Sequence, residues 1–369
     1  MPWRAITTLA ITTPGTITST IARAATRTIS VTSPYQERSQ EHLHTLEQVV
    51  SGHVSVGVGS PPTMYALLLD TGTSNTWIGA NTSYVPTAAS QKTVDSVSVS
   101  YGAGNFSGTE YTDTVTLGSG VAILRQSIGV ATKSTGFANV DGVLGLGPVN
   151  LTVGTLSPNL SSSIPTITDN LFSKGKIEAH QIGIGRNSIT FGGIDTSEIV
   201  GAVEYVKITT TFPASEQWGI DTSFVYGDDM TILAQTAGIV DHGTTLLLLA
   251  TDAFQKFQSA TGGVPDAATR LLKITADQYA SLKPLNFNVH GNTFTLTPNA
   301  LIWPREHNKA IRGDPGSIYL VVSDIGRPSG QGLDFIIGYR VLQRFYTVFD
   351  TANSRVGFAK TIYTDSTEN

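Results

Sequence analysis

Short alternations of apolar and polar residues dominate the chain from Val49 onward. Short apolar runs such as HVSVGVG, YALLLD, SVSVSYG, TDTVTL and SITFGG, several of them alternating, are separated by Gly, Ser, Pro and Asn. This period of two predicts β-strands joined by tight turns. Helical patterns are few: one begins at a Thr251 N-cap and stops at a glycine pair, and another is YRVLQRFY near the end. We therefore predict an all-β protein with few short helices.

Residues 1–46 lack this alternation. Threonines and Pro14 interrupt the apolar positions that follow Arg4, so the segment does not have the form of a working signal peptide. We interpret residues 1–46 as a leader or the remnant of a pro-segment, poorly ordered. No run in the chain approaches the ~18 apolar residues that a membrane-spanning helix needs, so we predict no membrane association.

One sequence pattern occurs twice, about a domain length apart. LLLDTGTSNTWIG and GIVDHGTTLLLLA both place Asp-x-Gly-Thr between apolar residues, and each is followed downstream by two apolar residues and a glycine, in DGVLGLG and DFIIGYR. The chain therefore divides into two related lobes, residues 47–195 and 196–363, with a tail at 364–369. Each lobe carries one buried aspartate, Asp70 or Asp241, where a strand meets a turn.

The duplicated aspartates favour chemistry over a purely structural role. A single Asp-x-Gly is most simply a turn, in which Asp caps backbone amides and Gly supplies a positive φ. A lone buried carboxylate is costly, however, and two brought together can share one proton. The pair then holds one acid and one base, which can activate water against an amide carbonyl.

The residues after each aspartate suit that task. Gly72 and Gly243 expose backbone N–H groups and let a substrate approach closely. Thr73 and Thr244 place hydroxyls where they can donate to the outer carboxylate oxygens and fix their orientation.

The composition of the chain excludes several other classes of function and site. The formal charge of −5, with no Lys/Arg cluster, predicts no nucleic-acid binding. The absence of cysteine excludes disulfides, thiolate metal sites and cysteine nucleophiles. No cofactor and no metal are expected, because no second ligand lies at suitable spacing from His242. Four sequons, which begin at Asn81, Asn105, Asn150 and Asn159, are compatible with a secreted glycoprotein.

The two motifs resemble those of a known family. DTGTSNTW, from Asp70 to Trp77, is similar to the first active-site motif of the pepsin-like aspartic proteases, and DHGTT, from Asp241, is similar to the second. YGAGNFSG resembles the flap hairpin of that family, with Tyr101 at the position of its tyrosine, then Gly102, and Gly104 near the tip.

Further segments extend the resemblance from about Val49 to Thr361. FGGIDTSEIVGAVEYVKIT, QWGIDTSFV and RFYTVFDTANSRVGFA follow in the family's order. The absence of cysteine and the stretches SATGGV, LTPNALIWPR and SGQGLDFIIGY are similar to the fungal polyporopepsin branch. The resemblance implies a bilobal pepsin-like fold of two related β-barrel-like lobes.

The resemblance also implies a function, an aspartic endopeptidase that acts on polypeptides at acidic pH. In that family Asp70 and Asp241 would hold a water at the floor of an interlobe cleft, and a tetrahedral diol would collapse without a covalent enzyme intermediate. Which aspartate begins protonated belongs to the pair and not to either residue. The family's usual secretion makes an extracellular location the expectation, and we expect a monomer.

Flap and pocket residues follow from the same resemblance. Tyr101 would close over substrate, with its phenol held by the indole N–H of Trp77. Leu68, Val140 and Val143 lie where the family lines its pocket beside the scissile bond, which implies a preference for apolar or aromatic flanking residues. Plain core packing explains these three positions equally well.

Three positions depart from the family pattern: Ala103 replaces a Ser or Thr of the flap, Tyr339 replaces an Asp, and His242 replaces the Thr after the second aspartate. In the family two Thr hydroxyls pair across the lobes, and only Thr71 is present here. An oversized side chain in a packed site costs ~1–3 kcal/mol, although imidazole can still donate and accept one hydrogen bond.

Three interpretations of His242 follow. It is tolerated in a working enzyme that is slower than its relatives, it marks a degenerate homologue that binds peptides without efficient turnover, or it is a new catalytic or metal-binding residue. We expect the first. A protonated His242 would favour ionisation of the aspartates, whereas burial would oppose its protonation.

Overall fold

A computed structural model describes residues 27–30, 52–102, 104–118 and 121–368. Strands predominate in this part of the chain and the α-helices are short, so the all-β prediction is confirmed. The chain forms two compact units: the first runs to Ser197 and includes Val348–Asn353, and the second comprises Glu198–Thr347 and the residues from Ser354 onward.

The lobe boundaries predicted from the sequence stay a prediction, and one segment is assigned differently. The sequence places residues 344–359 wholly in the C-terminal lobe, whereas Val348–Asn353 belong to the first unit. A backbone hydrogen bond from Thr351 N to the His180 carbonyl, at 3.0 Å, ties this segment there. Pairing between residues distant in sequence decides such an assignment.

The strands are short and closely spaced along the chain. In chain order they are β1 Arg27–Ser30, β2 His53–Val58, β3 Thr63–Asp70, β4 Trp77–Ile78, β5 Gln91–Ser100, β6 Asn105–Leu117, β7 Val121–Thr135, β8 Gly142–Gly145, β9 Leu156–Ser157, β10 Gln181–Ile184, β11 Ser188–Phe191, β12 Val200–Lys207, β13 Gly219–Tyr226, β14 Met230–Val240, β15 Leu247–Leu249, β16 Val264–Pro265, β17 Leu272–Ile274, β18 Leu285–Val289, β19 Asn292–Leu296, β20 Ile318–Tyr319, β21 Val322–Asp324, β22 Phe335–Ile337, β23 Phe345–Asp350 and β24 Arg355–Lys360.

The α-helices are α1 Ile167–Ser173, α2 Thr251–Thr261, α3 Ala276–Ala280 and α4 Tyr339–Leu342; 3₁₀ turns span Val149–Thr152, Thr196–Glu198, Ala214–Glu216, Pro298–Leu301 and Arg305–Ile311. The predicted N-cap at Thr251 is wrong by one residue. Ala250 is the N-cap of α2, because the Thr251 hydroxyl donates instead to Asp324 Oδ1 at 2.7 Å. Gly262 ends α2 in the left-handed conformation, as the sequence predicts.

The main sheets of the two units repeat one arrangement. In the first unit the strand order includes β2-β3-β8-β4-β7, and in the second it includes β13-β14-β22-β15-β21. In each, the strand that ends at the aspartate pairs in parallel with a later strand, β3 with β8 and β14 with β22. That later strand pairs antiparallel with the strand after the aspartate turn. The internal repeat of the sequence is therefore a repeat of topology.

Most of the predicted leader lies outside the described residues. Its described part, β1, pairs antiparallel with β11 in the first unit. Within the described residues, no helix combines the length and the apolar character required to cross a membrane.

Candidate active site

Asp70 is the last residue of β3 and is 6% exposed. Its Oδ1 accepts hydrogen bonds from the backbone N–H groups of Gly72 at 2.7 Å and Thr73 at 3.1 Å. The turn that follows the strand therefore folds back onto the carboxylate and fixes its direction. The neighbouring Thr71 is fully buried.

Asp241 directly follows β14 and is 7% exposed. Its Oδ1 accepts from the Gly243 N–H at 2.9 Å, and its Oδ2 accepts from the Thr244 hydroxyl at 2.7 Å. The backbone N–H of Asp241 donates to the Ile337 carbonyl at 3.0 Å, which ties the aspartate to β22. Both aspartates thus lie at the C-terminal end of a strand, Asp70 as its last residue and Asp241 directly after it, and each accepts the N–H of the glycine two residues later.

The two turns differ in how threonine supports the carboxylate. The Thr244 hydroxyl donates to Asp241, as the sequence analysis expects. Thr73 reaches Asp70 through its backbone N–H, and its side chain lies close enough to Tyr101 to lower the pKa of the phenol in part. Thr73 therefore connects the aspartate turn to the flap tyrosine.

The downstream glycines of the repeat are required by close backbone contacts. A Cβ on Gly145 would lie 2.5 Å from the Ser74 carbonyl carbon, and a Cβ on Gly338 would lie 2.2 Å from the Leu246 carbonyl oxygen. Both distances are too short for any side chain. These glycines allow the aspartate turn of each unit to pack directly on the adjacent strand.

Tyr101 lies at the end of the β5–β6 hairpin, the flap of the sequence analysis. Its backbone N–H donates to the Gly104 carbonyl at 2.7 Å, and its phenol oxygen accepts from Trp77 Nε1 at 2.8 Å. Burial and the negative charge of Asp70 raise the pKa of Tyr101 far above its ordinary value, although hydrogen bonds with Trp77 and Thr73 lower it in part. The phenol is therefore neutral. Gly102 is exposed beside it, and Ala103 lies outside the described residues.

Trp77 is fully buried within aromatic neighbours. Its ring stacks on Phe106 with centroids 4.3 Å apart, and Phe137 meets it edge-on at 4.9 Å. Phe137 also meets the Tyr101 ring edge-on, at 5.2 Å. The indole therefore has little freedom to move, and the hydrogen bond to the phenol starts from a fixed donor.

The predicted pocket residues Leu68, Val140 and Val143 are at most 5% exposed and belong to the same hydrophobic cluster as Trp77. This environment agrees with the core interpretation of these positions. Their contact with substrate stays a prediction.

His242 is 3% exposed, with its Nε2 3.5 Å from the Thr347 hydroxyl. Burial lowers the pKa of His242 to about 3, so the ring is neutral except in strong acid. No positive charge is therefore added beside Asp241 at mildly acidic pH. Within the described residues, no cluster of His, Asp and Glu has an arrangement that could hold a metal ion.

Sequence reasoning missed three residues around the site. Thr347, in the apolar run of β23, contacts His242. Phe137 bridges Trp77 and Tyr101, and Asn81 donates to the carbonyls of Phe137 and Val140. Only contacts distant in sequence identify these roles. The sequon marks Asn81 in the sequence, but as a candidate glycosylation site and not as a residue that supports this cluster.

Known proteins resemble this chain over almost all of its described length. A family model described as eukaryotic aspartyl protease matches residues 53–361. Polyporopepsin of Irpex lacteus is 55% identical over 332 residues, which cover 87% of this chain and 97% of that protein. Pepsin A of Sus scrofa is 27% identical over 331 residues, with 83% and 80% covered.

A solved structure gives the same result at the level of the fold. The crystal structure of an aspartic proteinase from Irpex lacteus superposes with a TM-score of 0.88 at 52% identity and covers 94% of this chain and 100% of its own. The resemblance stated from the sequence is confirmed, and so is the pepsin-like fold.

Proposed function

Because this chain belongs to the eukaryotic aspartyl protease family and is an aspartic endopeptidase, we propose that Asp70 and Asp241 are its catalytic pair. The observation that carries the proposal is the repeated aspartate turn. Each unit presents a buried carboxylate at the end of a strand, held by the N–H of a glycine two residues later. The pair acts as one acid and one base on a water molecule.

The proposed reaction needs opposite protonation states in the pair. The ionised aspartate takes a proton from water, and the protonated aspartate donates toward the peptide carbonyl as the hydroxyl adds. The diol then collapses to a free amine and a carboxylic acid. A pair that shares one proton is competent between its two macroscopic pKa values, which places activity at roughly pH 3–5.

Tyr101 supports this chemistry as a neutral group. Its phenol cannot ionise near Asp70, and it is held by the hydrogen bond from Trp77. We propose that the flap closes over the substrate and excludes water. Apolar residues around Trp77 and Tyr101 favour apolar or aromatic residues beside the cleaved bond.

Thr71 and His242 complete the proposed support of the pair. The neutral, buried imidazole agrees best with a tolerated substitution in a working enzyme. A degenerate homologue that binds peptides without efficient turnover is the second candidate, and the departure at His242 is the observation that favours it.

We further propose that the protein is a secreted, monomeric glycoprotein. The sequons and the usual secretion of the family support this location. Its partners are then extracellular polypeptides.

A cleavage assay on a denatured protein, with the chain starting near Val49, tests the function. We expect cleavage at roughly pH 3–5, inhibited by a statine-type peptide. Asp70→Asn and Asp241→Asn should each lower kcat by on the order of 10³-fold or more. Asp228→Asn removes the same charge from an exposed turn and should leave activity unchanged. Statine-type binding without cleavage at any pH would establish the degenerate homologue instead.

A further inference from the structure

The four sequons are not equivalent in the folded chain. An asparagine amide carries two N–H donors. N-glycosylation replaces one of them, because the amide nitrogen loses a proton and forms a bond to C1 of the first sugar. The sugar comes from a lipid-linked oligosaccharide, whose lipid pyrophosphate leaves as that bond forms. A glycosylated asparagine can therefore donate one hydrogen bond but not two.

Asn81 uses both donors. Although the residue is exposed, its Nδ2 lies 2.9 Å from the Phe137 carbonyl oxygen and 2.5 Å from the Val140 carbonyl oxygen. These carbonyls belong to the segment between β7 and β8, whose side chains pack on Trp77. A glycan on Asn81 would remove one of the two bonds and release part of this segment.

Asn150 and Asn159 have donors to spare. Asn159 is exposed and donates a single bond, from Nδ2 to Asp95 Oδ1 at 2.8 Å. Asn150 is exposed in a 3₁₀ turn, and its side chain donates no hydrogen bond to any described residue. Either side chain can carry a sugar and keep every contact that it makes.

Three exposed apolar residues lie close to these two asparagines in the fold. They are Val94, Val153 and Leu160, whose side chains are 86%, 49% and 60% exposed. We call these three side chains together the apolar edge. The hydrogen bond between Asn159 and Asp95 places Leu160, which follows Asn159, close to Val94, which precedes Asp95. A backbone hydrogen bond from Gly154 N to the Leu160 carbonyl places Val153, which precedes Gly154, close to Leu160. The short strand β9 closes the sheet on this side. Exposed apolar residues at the end of a sheet promote association unless they are covered.

We propose that the protein carries N-linked glycans on Asn150 and Asn159, where they cover the apolar edge, and none on Asn81, whose amide holds the segment between β7 and β8. The proposal rests on the proposed secretion, since the transferase acts in the secretory pathway. Asn105 lies at the start of β6, opposite Ser100 and away from this edge, and is not part of the proposal.

Peptide mapping of the secreted, active protein tests the assignment. The full chain is expressed in yeast behind a heterologous secretion leader, so that the sequons meet the transferase whatever the natural location. An endoglycosidase that leaves one sugar on each modified asparagine then marks the sites. We expect marked Asn150 and Asn159 and native Asn81. A sugar on Asn81 in active enzyme, or native Asn150 and Asn159, would overturn the proposal.

Two matched variants separate the sequon from the amide. Ser83→Ala destroys the Asn81 sequon but keeps both hydrogen bonds, so glycan mass, KM and kcat should be unchanged. Asn81→Asp keeps the size but removes both N–H donors once the carboxyl is ionised, so its kinetics are measured at about pH 5, roughly one unit above the ordinary Asp pKa. It should raise KM for substrates with apolar flanking residues several-fold more than it lowers kcat. A loss of glycan mass in Ser83→Ala, or an unchanged KM in Asn81→Asp, would contradict the proposal.

The glycans themselves have an expected effect. Asn150→Gln combined with Asn159→Gln should aggregate more and bind more of an apolar dye, with kcat/KM of the soluble fraction unchanged. A fully monomeric double variant would refute the covering role. If the chain without the added leader stays inside the cell, the proposed location fails while the glycan assignment still stands on the mapping.

Discussion

His242 combines an ionisable side chain with a site that excludes its charged form. The ring is buried and its pKa is lowered to about 3, whereas in the unfolded chain the pKa is near 6.5. Between these values the unfolded state binds the additional proton. The neutral ring therefore makes its full contribution to the free energy of unfolding above pH 6.5. This contribution decreases by up to about 1.4 kcal/mol per pH unit as the pH falls toward 3.

Replacing His242 should remove this acid sensitivity. His242→Gln keeps a polar side chain that cannot titrate, so the difference in Tm between the variant and the parent should shift in favour of the variant as the pH falls from 6.5 to 4. His242→Thr restores the residue of the family pattern and should raise kcat at acidic pH if the imidazole weakens the support of the aspartates. Thermal unfolding and cleavage rates at each pH measure both effects. An identical pH dependence of Tm in His242→Gln would show that burial does not lower the pKa of the ring within the fold.

Single-residue roles were predictable where a motif defines them. Asp70, Gly72, Asp241 and Gly243 could be identified because the motif is local and occurs twice. The partner of His242 could not, because Thr347 lies in another part of the chain and reaches the ring only in the folded unit.

At the scale of elements, a side-chain hydrogen bond joins β4 to the proposed flap, the turn between β5 and β6. The donor, Trp77, packs between Phe106 and Phe137. The acceptor, Tyr101, lies in the turn of the β5–β6 hairpin, directly after β5. One such bond contributes about 1 kcal/mol. Its loss should allow the phenol to turn away from the aspartate turn.

A double-mutant cycle tests this coupling. Tyr101→Phe removes only the hydroxyl and should lower kcat/KM about five- to tenfold, since one hydrogen bond contributes about 1 kcal/mol. Trp77→Phe removes the donor and also leaves a cavity, so its effect on Tm should be larger. Because both variants break the same bond, the kcat/KM losses should not add in the double variant. Additive losses would mean that the bond does not position the flap.

The strands differ in how well their sequence predicts them. The apolar run YALLLD and the alternating TDTVTL both lie within observed strands, β3 and β6. The two-residue strands β4 and β9 have no periodicity and exist only through pairing with β7, β8 and β5. Helix α1 was missed, although the capping box of Thr166 and Asp169 marks its start. Patterns thus predict elements that bury a face, and tertiary pairing determines the remainder.

At the scale of the molecule, acid and base act on different units. The second unit contains His242, whose protonation in the unfolded chain lowers the stability of the fold as the pH falls below 6.5. The first unit contains Glu110 on β6, which is 3% exposed, and burial raises its pKa to about 7. A hydrogen bond from the Ser127 hydroxyl to Glu110 Oε1, at 2.5 Å, lowers this pKa in part, and the charge of Asp95 raises it. Between pH 4.5 and 6.5 the two effects offset each other. Above that range only the loss at Glu110 remains.

Glu110 should therefore limit stability at neutral and alkaline pH. Its folded pKa is raised above the ordinary 4.5, so the stability contributed by the protonated form is complete below pH 4.5 and is lost as the pH rises through 7. The loss reaches about 3 kcal/mol, since one pKa unit corresponds to about 1.4 kcal/mol. Glu110→Gln keeps the shape without the charge, so its Tm relative to that of the parent should rise between pH 5 and pH 8 (roughly the range over which Glu110 ionises). Asp228→Asn, which removes a charge from an exposed turn, should keep the parent's pH dependence. Equal losses of Tm in the Glu110→Gln variant and the parent would place the alkaline sensitivity elsewhere in the fold.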